Sequence, residues 1–486
     1  MTATARPTLP LTRRSALDLA AAIRAGEASA REVVEAHVEA LRRAQPRTGA
    51  LAADRFADAL RDADAADERR AADEPDGLPP LHGVPCTVKE SFAVAGMPNT
   101  AGLVARREHR AAEDAPAVAR LRAAGAIPLG VTNTSEMTMW IESSNHVYGR
   151  TSSAYDPSRT AGGSSGGEGA AVGSGGSPFG LGTDIGGSVR LPAFCNGVFA
   201  HKPSCGVVPA TGHFPAAEGE AARMLSPGPI ARRAGDLMPV LRVLAGPDGA
   251  DPLAREVELR DPAAVDLGAL DVVVSEGAWY VPIARELRDA RERAADALGA
   301  AGARVRRESL RSMRRALELY LLALKDGSPA TFAEVLADAG VEGVSLRRSL
   351  RGAVRGTGPH TLPTLILIAL ERVSSRIPDR RVRRALAGAK ALRAEVEGVM
   401  GDGVLLHPPY ARPAPKHGRT VGRAWVITPT AVFNLLQMPV TQVPLGLDDR
   451  GLPLGVQVVA RHDADEVSIA CALELERALG GWVPPS

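Results

Sequence analysis

The sequence predicts an α/β protein. Three observations carry that reading: β-type runs alternate with helical patterns, a glycine-rich centre joins two such alternating halves, and the 486 residues are 45% apolar, enough for a substantial core. Acidic and basic residues nearly cancel, leaving a formal charge of +2, so there is no field to attract nucleic acid. No uncharged apolar stretch reaches about 18 residues, and no membrane span is expected.

Each element has a local cause. In "TRRSALDLAAAIRAGE" Ser15 stands as an N-cap, and Leu17, Ala20, Ala21 and Ile23 share one helical face. A helix is expected there rather than a twin-arginine export signal, whose apolar run Asp18 and Arg24 would interrupt. Ser29 and Glu32 form a capping box ahead of Val34, Val38 and Leu41 on one face. "FADALRDADAADERRAADEPDG" reads as a charged helix running into a turn, and "LHGVPCTVKES" as a short strand that delivers Lys89 at or just after its end. "AVARLRAAGAIPLGVTN" reads as helix, glycine stop and strand. Beyond the glycine-rich centre come a strand, "DVVVSEGAW", then a long helix and a further strand in "VPIARELRDARERAADALGAAGARVRRESL". Residues 311–400, arginine-rich around "LPTLILIAL", read as a helical insertion. From Asn434 the pattern returns to strand, turn, strand and a closing amphipathic helix. With no internal repeat and no linker, one domain spanning 1–486 is expected, its core at about 80–215.

Cys86, Cys195, Cys205 and Cys471 lack C-x-x-C spacing, which argues against a zinc ribbon or a thioredoxin-like pair. A reducing compartment follows, and the expected location is cytoplasmic. No metal or cofactor is expected.

The stretch "TAGGSSGGEGAAVGSGGSPFGLGTDIGGSVRLPAF", residues 160–194, carries the chemistry. It has neither G-x-x-x-x-G-K-[ST] nor G-x-G-x-x-G, so it is not a phosphate cradle. Nor is it a spacer, since Ile185, Val189, Leu191 and Phe194 are apolar and Asp184 and Arg190 would be idle there. What remains is a set of hydroxyls held on glycine turns. A serine hydroxyl is a weak nucleophile until a base takes its proton. No histidine lies within the stretch. Lysine can serve when burial favours its neutral amine, whereas arginine does not give up its proton. Of 58 basic residues only Lys89, Lys202, Lys325, Lys390 and Lys416 are lysine, and Lys89 sits in the apolar run "GVPCTVKESF".

These residues resemble the amidase signature family: "GGSSGGEGAAVGSGGSPFGLGTDIGGSVRLPA", with "VKES" upstream. "PAFCNGVFAHKPSCGVVPATGHFP", "APKHG" and "MPVTQVPLGLDDRGLPLGVQVV" extend the likeness to the fatty acid amide hydrolases of the second vertebrate type, without their membrane-anchoring N-terminal helix. The resemblance implies a central mixed β-sheet covered by helices on both faces, and a serine amidohydrolase acting on a small-molecule amide through an acyl-enzyme. The family's lysine, cis-peptide serine and nucleophilic serine fall on Lys89, Ser164 and Ser188, with the cis bond between Gly163 and Ser164. It also implies an oxyanion hole of backbone N–H groups from Ile185, Gly186, Gly187 and Ser188, glycines being needed at 186 and 187 so that no side chain obstructs the substrate.

Ser165 is expected to support Lys89 as a hydrogen-bond acceptor, Thr183 to lie near the leaving group, and Asp184 and Arg190 to brace the loop as a buried pair. Lys202 and Lys416 read as structural anchors, and Cys86 as a small buried hydrophobe. A nitrilase-like set of Glu90, Lys89 and Cys86 is disfavoured because neighbours on a strand point apart. An apolar acyl pocket is expected from Met137, Trp140 and Ile141, with Leu191, Phe194 and "LPTLILIAL" as further walls. Relatives often dimerise, so the resemblance leaves a homodimer open. The alanine- and arginine-rich composition suggests a bacterial source. The competing functions are a glutaminase-type subunit of a tRNA-dependent amidotransferase, an acyl-transferring amidase, and a non-catalytic binding protein.

Overall fold

Strands from nearly the whole length of the chain meet in one sheet. The computed structural model describes residues 9–275, 282–326, 336, 349, 351, 358–374 and 377–486. Its strands are β1 (Leu51–Asp54), β2 (Pro85–Lys89), β3 (Ile127–Thr132), the small hairpin β4 (Ser144–Asn145) and β5 (Gly149–Arg150), β6 (Phe179–Asp184), β7 (Phe199–Lys202), β8 (Ser226–Ala231), β9 (Asp271–Ser275), β10 (Arg304–Glu308), β11 (Val404–His407), β12 (Val440–Leu447) and β13 (Pro453–Val459). All but the hairpin join an 11-stranded sheet in the order β1-β3-β2-β6-β8-β7-β12-β13-β11-β9-β10. The sheet is mixed: β2 runs parallel to β3 and β6, and β9 parallel to β10 and β11, while β6–β8, β7–β12 and β12–β13 are antiparallel.

The central strands are buried along their whole length, as "PCTVK" in β2 and "FGLGTD" in β6 illustrate. Such strands need cover on both faces, and flanking helices provide it. The first helices are α1 (Ala16–Ala25), α2 (Ala30–Thr48), α3 (Phe56–Ala72) and α4 (Pro116–Ala123). Ser15 and Ser29 cap α1 and α2, each accepting from the backbone N–H three residues on, with Asp18 and Glu32 completing capping boxes. Two short helices flank β6 in sequence: α5 (Gly166–Gly173) before it and α6 (Arg190–Cys195) after it.

Between β10 and β11 the described residues are mostly helical. A short turn at Arg311–Arg315 leads into the helix Ala316–Asp326, and Leu362–Ser374 and Asp379–Met400 follow. Leu319, Tyr320, Ala323, Leu392 and Val396 from this segment pack with Val432, Phe433 and Leu436, around the helix Thr428–Leu435. That packing places the segment over the turn between β6 and α6. Among the described residues no helix is long and apolar enough to cross a membrane.

Candidate active site

Parallel pairing of β2 with β6 aligns their carboxyl ends, so Lys89, Thr183 and Asp184 emerge together. Lys89 is fully buried. Its Nζ lies 2.7 Å from Ser164 Oγ and 2.8 Å from Thr183 Oγ1. Ser164 follows a cis peptide bond from Gly163. Its carbonyl accepts from Ser143 Oγ at 2.8 Å, and the same hydroxyl accepts from the Gly166 N–H at 2.8 Å. The Ser165 N–H donates to the Ser188 carbonyl at 3.2 Å, tying the start of α5 to the β6–α6 turn. The Ser188 backbone is thereby joined to the residue that follows Ser164. At 7% exposure the Ser188 side chain opens on a cavity, and Ser188 Oγ has no hydrogen bond among the described residues.

The turn is braced from below by Asp184. Its Oδ1 accepts from the Gly187 N–H at 2.7 Å, and Oδ2 from the Val189 N–H at 3.1 Å. Arg190 meets the same carboxylate through Nε and Nη2, both at 3.0 Å, and its remaining donors reach Gln457 Oε1 and Asn434 Oδ1, each at 2.6 Å. Every member is buried and bonded, the condition under which a buried ion pair is tolerated.

From above, the Tyr320 hydroxyl donates to the Ile185 carbonyl at 3.1 Å, and Thr430 Oγ1 to the Gly186 carbonyl at 2.7 Å. Two expectations change here. The Gly187 N–H is taken by Asp184, which narrows the oxyanion-hole candidates to Ile185, Gly186 and Ser188. The glycines are also required for another reason: a Cβ at Gly186 would press on Tyr320 and Ile427, and one at Gly187, whose φ is +122°, would collide with Thr430.

Ser165 is likewise corrected. Its hydroxyl bonds the backbone of Thr183, donating to the carbonyl at 3.3 Å, while Thr183 Oγ1 occupies the acceptor position beside Lys89. Thr183 Oγ1 also lies 3.1 Å from Nε2 of His213, which the sequence reading passed over because it lies outside the glycine-rich stretch. "GHFP" offered no pattern that pointed to it.

Burial dominates the electrostatics. It lowers the Lys89 amine to about 7, against the pull of Asp184, Glu168 and Glu90. It raises Glu168 to about 8, although Thr87 and Thr132 donate to that carboxylate at 2.7 and 2.8 Å. Burial would also raise Asp184, but Arg190 holds it well below the usual carboxylate range. Cys86 is pushed up to about 12 by burial and the nearby Glu168, and so remains a thiol. Glu90 turns away from Lys89 and accepts from the Thr100 and Ala101 N–H groups and from Tyr148 Oη. The nitrilase-like set is not assembled. Lys202 is buried and donates to the Pro203 carbonyl at 2.8 Å, and Lys416 pairs through its backbone with Arg159.

A cavity of about 110 Å³ opens at Ser188. Trp140 and Ile141 line it with Met139, Tyr320, Leu324 and Ile427, and Leu367 from "LPTLILIAL" adds a wall. Met137 is not there: it is buried against Leu103, Leu336 and Ile368. Phe194 belongs to the main core, and Leu191 packs in that core while bordering a separate small recess. A residue one place along a segment faces elsewhere, and spacing alone does not say which.

The family model described as Amidase matches residues 32–468. Over 495 aligned residues the chain is 42% identical to fatty-acid amide hydrolase 2-B of Danio rerio, covering 98% of this chain and 92% of that protein. It is 38% identical to fatty-acid amide hydrolase 2 of Homo sapiens, covering 99% and 92%. Among solved structures, a bacterial aryl acylamidase of the amidase signature family superposes with a TM-score of 0.82 at 25% identity, covering 97% of each chain. A family match of this extent, on a chain that carries the glycine-rich stretch and a mixed sheet to hold it, leads to one conclusion: the chain belongs to the amidase signature family and is an amide hydrolase.

Proposed function

We propose that the protein cleaves carboxylic amides, and esters as well, whose acyl group is apolar or aryl, through Ser188 as nucleophile, Ser164 as proton relay and Lys89 as base. The observation that carries this reading is a fully buried lysine, hydrogen-bonded to Ser164, beside a serine that opens on an apolar cavity. In the first step the neutral Lys89 amine takes the Ser164 proton while Ser164 takes the Ser188 proton. Ser188 Oγ bonds the amide carbonyl carbon, and the C=O π pair moves onto oxygen. The N–H groups of Ile185, Gly186 and Ser188 receive that oxyanion. The relay then runs backwards: the proton on Lys89 returns through Ser164 to the amide nitrogen, the C–N bond breaks and the amine leaves. An amide needs this donation because an amine anion is a very poor leaving group. Water, deprotonated by the same relay, adds to the acyl-enzyme carbonyl; the bond between Ser188 Oγ and the acyl carbon then breaks, the relay returns the proton to Ser188 Oγ, and the acid is released.

The expected outcome of treatment with a fluorophosphonate probe is a covalent adduct on Ser188, lost in Ser188→Ala, with peptide mass mapping as the readout. An adduct on Cys86, or none, would sink the acyl-enzyme reading.

A further inference from the structure

Lys89 has two hydroxyl neighbours, and its chemistry depends on which of them it donates to and which it accepts from. His213 decides the Thr183 side of this. The Pro215 carbonyl has no proton to give, so His213 Nδ1, 2.9 Å from it, carries one. Burial and the neighbouring Lys89 lower His213 to about 3, so the ring is neutral and Nε2 holds a lone pair. The edge of the ring system packs against Phe92, with centroids 5.4 Å apart, which fixes its plane. Thr183 Oγ1, 3.1 Å from Nε2, must therefore donate to it. With its one hydrogen committed, Thr183 can only accept from Lys89 Nζ at 2.8 Å. An N–H of the amine points at Thr183, so the lone pair of the neutral amine is not engaged there and stays free for the Ser164 hydroxyl, whose Oγ lies 2.7 Å away.

We infer that His213 is a positioning residue that sets the direction of the Thr183 hydrogen bond, so that the Lys89 lone pair is kept free to accept the Ser164 proton. The inference rests on the Lys89–Ser164–Ser188 reading. Without the Nε2 acceptor, the Thr183 hydroxyl is free to turn its hydrogen onto the Lys89 lone pair, which opposes proton transfer from Ser164. The charged and titratable groups around Lys89, namely Asp184, Glu168 and Glu90, are untouched by changes at His213.

The test compares His213→Asn, whose amide keeps the donor to Pro215 but has nothing at the Nε2 position, with His213→Gln, whose side-chain oxygen can stand where Nε2 stands. The readout is kcat/KM for a p-nitroanilide as a function of pH, per active site titrated with fluorophosphonate, so that unfolded protein does not count. His213→Asn should lose about tenfold, the worth of one hydrogen bond. The rising limb of its pH profile should move to lower pH, because a hydrogen bond donated to the neutral amine disfavours its charged form. His213→Gln should recover most of the loss. In a Thr183→Val background, His213→Asn should cost nothing further, since the effect passes through that hydroxyl. His213→Met, apolar and of similar length, repeats the comparison should the asparagine variant not fold.

A wild-type rate and limb in His213→Asn, or a loss that adds in full to that of Thr183→Val, would overturn the assignment. Lys89→Ala and Ser188→Ala are measured alongside, per mole of protein shown to be folded by circular dichroism. If they retain turnover, the underlying mechanism fails. If they abolish it while His213→Asn is unchanged, only the role of His213 fails.

Discussion

Lys89 is where composition, burial and chemistry coincide. An arginine-dominated chain retains lysine at the end of β2, and the fold removes it from water completely. Desolvation lowers the amine to about 7, so the base-competent neutral form accumulates as pH rises through that value. Amide turnover should climb through neutral pH and level off above it, a profile that kcat/KM measured across pH will check. Lys89→Arg keeps the charge and most of the size but cannot offer a neutral amine. It should lose a factor on the order of 10²–10⁴. Near-wild-type turnover in that variant would remove Lys89 from the role of base.

The element that matters most is the turn between β6 and α6, because it is gripped from two sides. Asp184 at the end of β6 and Arg190 at the start of α6 hold it from one side, while Tyr320 and Thr430 reach its carbonyls from helices distant in sequence. A peptide unit is planar, with C=O and N–H opposed, so bonding the Ile185 carbonyl also aims the Gly186 N–H. Tyr320→Phe removes that bond and keeps the ring. It should cost about 1 kcal/mol, near fivefold, in kcat with little change in KM, because in the proposed mechanism the charge this turn receives develops only in the transition state. Steady-state kinetics separate the two constants. A change confined to KM would mean that Tyr320 serves the pocket alone.

At the scale of the whole molecule, the apolar cavity at Ser188 is a joint product. Residues 139–141, the β6–α6 turn, the helix Ala316–Asp326, Leu367 and Ile427 each give it one wall. Its apolar lining predicts selection by acyl length, since each buried methylene contributes about 0.8 kcal/mol, close to fourfold in kcat/KM. Along p-nitroanilides from acetyl to dodecanoyl, kcat/KM should rise until the cavity is filled. A flat or falling series would reject the apolar channel and leave the serine mechanism intact.

Local chemistry was legible in the sequence. Helix caps at Ser15 and Ser29, the strand ending in Lys89 and the alternation of an α/β protein all depend on neighbours within a few residues, and the structure has them. The glycine-rich stretch was long enough to carry the family, and with it the mixed sheet. Tertiary structure alone decided the partners. It put Thr183 where Ser165 was expected, and it gave the Gly187 N–H to Asp184. It turned Met137 into a core while Met139 took the cavity, and it brought His213 and Tyr320 to a site whose local sequence mentions neither. The physical reason is the same in each case. A periodic pattern reports which face of an element is buried, but a hydrogen bond of about 3 Å depends on where two distant elements lie once the core has packed.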